Sequence, residues 1–416
     1  MKHFWILMMI ISNIFCNSGF SQSDVLAIIT VNSGEYERLD TPVSISLDEL
    51  SISGAISLRE IKEESKEIVP VQLDSIENRL YWILCGKTDK GTIRVYELFS
   101  DKAKKNTEVE VADNDKGIEI KYNNKILLQY NSFPVELPEG VDSAYTRGAF
   151  IHPLKTLSGK LLSRIQPEDH YHHVGIWNPW TKTSFENREI DFWNLAKKQG
   201  TVRFKNYISK ESGNIYEGFG VNHEHIDLTA PEGEKIAINE KWLVKVYKPD
   251  DKPWYIMDFT SVLQCASASP ITLMKYRYGG GIGFRATEDW NRNNCEVITS
   301  EGKTRLDSDA TRAKWCNVFG TVDKLSSGIL FMCNPENFSF PQPMRIWPEN
   351  ANSGNGDMYF QFCPIRENDW HLEPAKQYFQ KYRLIVYDGE ISEKEAEQMW
   401  MDYSNPPEII INKPKK

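Results

Sequence analysis

The stretch GIEIKYNNKILLQY, residues 117–130, decides the fold. Apolar and polar residues alternate on both sides of Asn123-Asn124, so each half offers one face to a core and the other to water. Asparagine tolerates the positive φ that a two-residue hairpin turn demands. The stretch therefore reads as a β-hairpin. Similar short runs recur at 80–84, 92–98, 241–247, 255–263, 328–333, 358–363 and 382–387. Clusters of Pro, Gly, Asn and Asp separate them at the intervals of a β-sandwich. No helix-period segment is long enough for α/β units, and no internal repeat is present. The expectation is an all-β protein.

One helix is expected, near the end. In ISEKEAEQMWMDYSNPP (391–407), Ser392 and Glu395 form a capping box and Pro406-Pro407 stops the helix. Ala396, Met399, Trp400 and Tyr403 fall on one core-facing stripe. A charged stretch, SDKAKKNTEVEVADNDKG (100–117), is the linker candidate. It divides the chain into an immunoglobulin-like β-sandwich at 23–113 and a larger β-sandwich at 114–416.

Residues 1–22 read as a signal peptide: Lys2 precedes a short apolar run that ends in small and polar residues. An exported, soluble protein is expected, periplasmic or secreted. Lipid anchoring at Cys16 is the less favoured alternative, because bulky Phe15 makes a poor processing site. No later segment could span a bilayer. A formal charge of −9 argues against a nucleic-acid partner. The six cysteines beyond the leader, Cys85, Cys265, Cys295, Cys316, Cys333 and Cys363, are irregularly spaced without CxxC. That pattern indicates neither a zinc motif nor a disulfide framework, and small buried side chains account for it.

Chemistry concentrates in DHYHHVGIWNPW (169–180). The chain has eight histidines, and three of them, His170, His172 and His173, fall within four positions. On a strand, alternation would set His170 and His172 on one face and Asp169, Tyr171 and His173 on the other. Such a pair can exchange protons near neutral pH. It can also ligate a divalent metal, although proton exchange by itself requires no cofactor. His223 and His225 repeat the spacing, for which a solvent-facing strand is the simpler account, though neighbouring strands would bring four imidazoles together. Trp177, Trp180 and Trp193 follow closely, with Trp315 and Trp347 later. Indole faces stack on sugar rings, and core packing must claim at least two of the five. Lys275, Arg277 and Arg285 surround a glycine triplet, and arginine suits bidentate capture of a carboxylate.

The segments HPLKTLSG (152–159), DHYHHVGIW (169–177), DFW (191–193), GIGFR (281–285), AKWCNVFG (313–320) and YRLIVYDG (382–389) also stand in a familiar order. Together they resemble the bacterial "methane oxygenase PmoA-like" family, a domain of unknown function, over nearly all of the chain beyond the leader. The resemblance implies a large supersandwich similar to galactose mutarotase, in bacteria that degrade complex glycans. By position it points to His152, Asp169, His170, His172, His173, Trp177, Trp193, Arg285 and Trp315. The sequence departs from the family pattern at Arg203, Lys314 and Asn317, which puts any shared substrate in doubt. Its name suits a membrane oxygenase, which this chain has no span to be.

The expected function is a carbohydrate-active lyase or dehydratase that performs β-elimination on uronic-acid-containing oligosaccharides. His170, His172, His173, Tyr171 and Arg285 are its expected catalytic groups. His152, Asp169, Trp177, Trp193, Arg277 and Trp315 are its expected substrate contacts. A sugar epimerase, a glycoside hydrolase using Asp169 with Glu168 or Asp191, and a non-catalytic glycan-binding protein are the alternatives.

Overall fold

The computed structural model describes residues 25–48, 50, 55–100, 109–247 and 251–413. The leader and Cys16 lie outside them, as does the middle of the 100–117 linker. Asn123 and Asn124 adopt φ of 49° and 60°, and Lys125 pairs with Tyr122 across the turn. The hairpin is as its sequence dictates.

Its two strands belong to an eight-stranded antiparallel sheet. The order is Met344–Ile346, Tyr359–Phe362, Gly283–Arg285, Ile176–Trp177, Phe150–Leu154, Lys125–Asn131, Gly117–Tyr122 and Val109–Asn114. A second eight-stranded sheet runs Gly200–Ser212, Tyr216–Asp227, Lys235–Tyr247, Trp254–Cys265, Tyr378–Asp388, Leu325–Cys333, Trp315–Val322 and Cys295–Thr299. One apolar core joins them. Ile118, Leu128, Phe284 and Phe360 of the first sheet pack with Phe219, Phe259, Phe331 and Leu384 of the second. Phe284 and Phe331 meet at 5.4 Å, Tyr130 and Phe219 at 5.2 Å. This is the large β-sandwich expected from the strand pattern.

The N-terminal sandwich has a five-stranded and a three-stranded sheet around Ile29, Leu58, Trp82, Tyr96 and Leu98. Its boundaries differ from the expected 23–113. Val109–Asn114 pairs with Gly117–Tyr122 in the large sheet, and Glu408–Asn412 returns to pair with Val25–Asn32. The short loop at 115–116 makes the first pairing a local hairpin. The second joins segments more than 370 residues apart, which no local pattern announces.

The helix Glu393–Ser404 carries the capping box of Ser392 and Glu395 and buries Ala396 and Trp400. Arg38 of the N-terminal sandwich reaches its Asp402 at 3.3 Å. No helix among the described residues is long and apolar enough to cross a membrane. Cys265, Cys295, Cys316, Cys333 and Cys363 are buried thiols, as expected, whereas Cys85, expected with them, is exposed.

Candidate active site

The histidine stretch is not a strand. Residues 166–173 form consecutive turns between bridges at Ile165 and Val174, so strand alternation does not apply. The turns nevertheless gather the imidazoles more tightly than a strand would. Ring centroids of His170, His172 and His173 lie 5.4, 4.7 and 4.8 Å apart. His173 stacks on Trp193 at 5.6 Å and on Tyr359 at 5.0 Å. The three line a pocket of about 200 Å³ with Trp193, Asn194, Tyr276, Arg277, Tyr278 and Trp347.

Charge enters through one chain of contacts. The Nδ1 of His170 lies 2.8 Å from Oδ2 of Asp169. Asp169 accepts from Nη2 of Arg285 at 2.9 Å, and the same Nη2 donates to Asp357 at 2.7 Å. Asp357 also holds Arg164. Burial pushes the Asp169 carboxyl up, but the His170 hydrogen bond and the Arg285 guanidinium outweigh it and hold the group down at about 2. An ionised carboxylate on Nδ1 fixes the imidazole tautomer and leaves Nε2 as the basic nitrogen. Burial, then the neighbouring His170, brings His172 down to about 3, and burial holds His173 well below its ordinary value. Both are neutral at pH 7. His173 is buried and His172 half-buried, while His170, whose side chain is 36% exposed, lies at the pocket with its Nδ1 held by Asp169.

Arg285 is not the expected carboxylate clamp. Its side chain is fully buried, stacks over Trp347 at 4.7 Å and spends its charge on two aspartates. Arg285→Met should destabilise the fold by about 3–5 kcal/mol, because two carboxylates would lose their shared cation. Urea unfolding measures this, and a loss under about 1 kcal/mol would contradict the account. The pocket's available cation is Arg277, which is exposed, lies 5.2 Å over Tyr278 and has no carboxylate partner among the described residues.

Other expected contacts fall elsewhere. Trp315 is buried against the C-terminal helix and donates to Glu397 at 2.7 Å, far from the imidazoles in the packing. Trp177 is fully buried behind His173, and Trp180 packs on Trp370. Tyr171 packs on Tyr145 and does not line the pocket. His152 binds Ser163 at 2.9 Å and lines a separate polar cleft of about 740 Å³ with Glu168 and Asp169. His223 and His225 are buried, not solvent-facing. His225 bonds Glu240 at 2.8 Å, His223 bonds Tyr130 at 2.6 Å, and neither joins the imidazole triplet. Among the described residues no set of three or more His, Cys, Asp or Glu side chains is placed to hold a metal ion.

Asn194, Tyr276, Tyr278 and Asp357 were not singled out. Tyr276 and Tyr278 flank Arg277 in KYRYGG, so the signal for them lay in a stretch read only for its cations.

The model of DUF6807, a family of unknown function, matches residues 117–401, and the chain belongs to that family. The curated proteins include no match to this sequence. Among solved structures the fold is similar to a glycosyl hydrolase family 38 protein from Enterococcus faecalis, with a TM-score of 0.50 and 8% identity over 95% of this chain and 48% of that one. An α-mannosidase from Enterococcus faecalis V583 is similar at 0.49 and 9% identity, over 95% of this chain and 47% of that one. The chain thus spans about half the length of these structures, and the likeness is one of fold.

Proposed function

We propose that the protein is an exported carbohydrate-active enzyme that cleaves uronic-acid-containing oligosaccharides by β-elimination. The observation that carries this reading is an aspartate-oriented imidazole, His170, sharing a small aromatic pocket with an unpaired guanidinium, Arg277. Elimination needs a base, a charge partner for the sugar carboxylate and a proton for the leaving oxygen. Nε2 of His170 takes the proton α to the carboxylate. The electron pair forms the new C=C bond as the β C–O bond breaks, and Arg277 balances the charge that builds on the carboxylate.

Tyr278 replaces Tyr171 as the acid. Its hydroxyl accepts from Arg345 at 3.1 Å and from Trp347 at 3.2 Å, which leaves its own proton to donate to the leaving oxygen. The half-buried Tyr276 and Tyr278 supply ring surface for the sugar, while Trp193 and Trp347 are buried in the pocket wall against His173 and Arg285. The pocket lining holds no Asp or Glu, whereas glycoside hydrolysis ordinarily uses two carboxylates. Asp191, a candidate for that pair, is buried and occupied by Asn194 and Lys197.

Incubation with a panel of uronate oligosaccharides should give a rise in ultraviolet absorbance from the conjugated product. Binding without any absorbance change across the panel would favour a non-catalytic glycan-binding protein instead.

A further inference from the structure

The chain passes directly from the imidazole pocket to the lining of a second cavity. Trp193 and Asn194 line the first, and the adjoining Leu195 lines the second, which measures about 610 Å³. Phe133, Thr146, Arg147, Lys198, Thr201 and Arg203 also line it.

Arg147 is the unexplained group. It is 2% exposed, and its Nε donates to the Gly148 carbonyl at a long 3.3 Å. Its Nη1 has no partner, and among the described residues no carboxylate forms an ion pair with it. Glu240, whose charge it feels, is already engaged by His225 and Trp242 at 2.8 Å, by Ser261 at 2.5 Å and by Asn178. Lys198 and Arg203 are exposed and paired with Asp142 and Glu234, so they are compensated where Arg147 is not. Burial lowers the Arg147 guanidinium only to about 10, so it stays charged at neutral pH. An uncompensated buried charge costs several kcal/mol, which an arriving anion would offset. In the same lining, Phe133 is 54% exposed and edge-on to Phe204 at 5.9 Å. A buried cation that shares a cavity with an exposed ring and two threonines matches the parts of an acidic sugar.

We infer that this cavity is a second glycan subsite, in which Arg147 takes the carboxylate or sulfate of an acidic sugar whose ring rests on Phe133. The inference rests on the glycan reading of the first pocket for its substrate class, but on no turnover there. It is tested by calorimetry on the full chain carrying Arg277→Gln, so that the imidazole pocket offers no cation. The probes are glucuronate, glucose 6-sulfate, glucose and inorganic sulfate. One of the two acidic sugars should bind at least about tenfold tighter than glucose and than inorganic sulfate, and which one does so identifies the oxyanion. Arg147→Met should abolish that preference, and Phe133→Ala should weaken the acidic sugar about tenfold with an unchanged unfolding midpoint. If Arg147→Met does not fold, Phe133→Ala decides. Equal binding of glucose, no saturable binding, or indifference to Phe133→Ala would overturn the subsite. No elimination by the chain with Arg277 intact, alongside this binding, would overturn only the reaction.

Discussion

His170→Asn should lower turnover on a uronate oligosaccharide by about 10²–10⁴-fold while leaving substrate affinity nearly unchanged, because a positioned general base contributes in that range. Asparagine keeps the size and the hydrogen bond to Asp169 but has no basic nitrogen. Asp169→Asn should act differently, since Asp169 touches the base and not the sugar. Loss of the carboxylate frees the ring to turn and to place its proton on Nε2, so kcat should fall about 10–100-fold with KM nearly unchanged. A merely structural role for Asp169 would change the amount of folded enzyme and leave kcat per folded molecule in place. Full activity in His170→Asn would remove His170 from the chemistry altogether.

Acid should weaken the fold well before its carboxylates protonate. Burial is the leading cause in each of three histidines: His152 is brought down to about 4, His172 and His223 to about 3. In the unfolded chain each takes a proton near pH 6.5, and in the fold none does until the lower value is reached. Stability is therefore full above pH 6.5 and falls as pH drops toward 4, because only the unfolded chain is protonated in that window. At pH 5 each histidine costs about 2 kcal/mol. Three such costs rival the whole stability of an ordinary domain. Asp169 and Glu240, both held at about 2, contribute no loss until lower pH. The urea midpoint should fall steeply between pH 7.5 and pH 5, and because buried His173 adds a fourth share, His223→Gln, which cannot titrate, should recover about a quarter of that fall. An unchanged midpoint would show that these imidazoles titrate as exposed ones do.

Much of the architecture was legible because strand alternation and turn chemistry are local. Asn123-Asn124, the capping box at Ser392 and the alternating runs each declare themselves within a few residues. The site was legible in part. DHYHH announced imidazole, but its turn geometry depends on Asp169 being anchored by Arg285, 116 positions later. That same anchoring turned Arg285 from a ligand group into a support, a swap that composition could not reveal. Trp315 misled for a similar reason: indole chemistry reads the same in a cleft wall and beneath a helix. His223 and His225 misled because strand spacing does not say which face of a sheet turns inward.

The edge strand Glu408–Asn412 that completes the N-terminal sheet is made more than 370 residues after its neighbour Val25–Asn32. Until those residues have been synthesised, Val25–Asn32 carries one row of unpaired amides and carbonyls, a template on which another nascent chain could add. Drawing the sheet's border from beyond the large sandwich therefore makes maturation of the small sandwich wait for the large one. A chaperone that shields this border during synthesis would act on Val25–Asn32 for as long as the large sandwich takes to emerge.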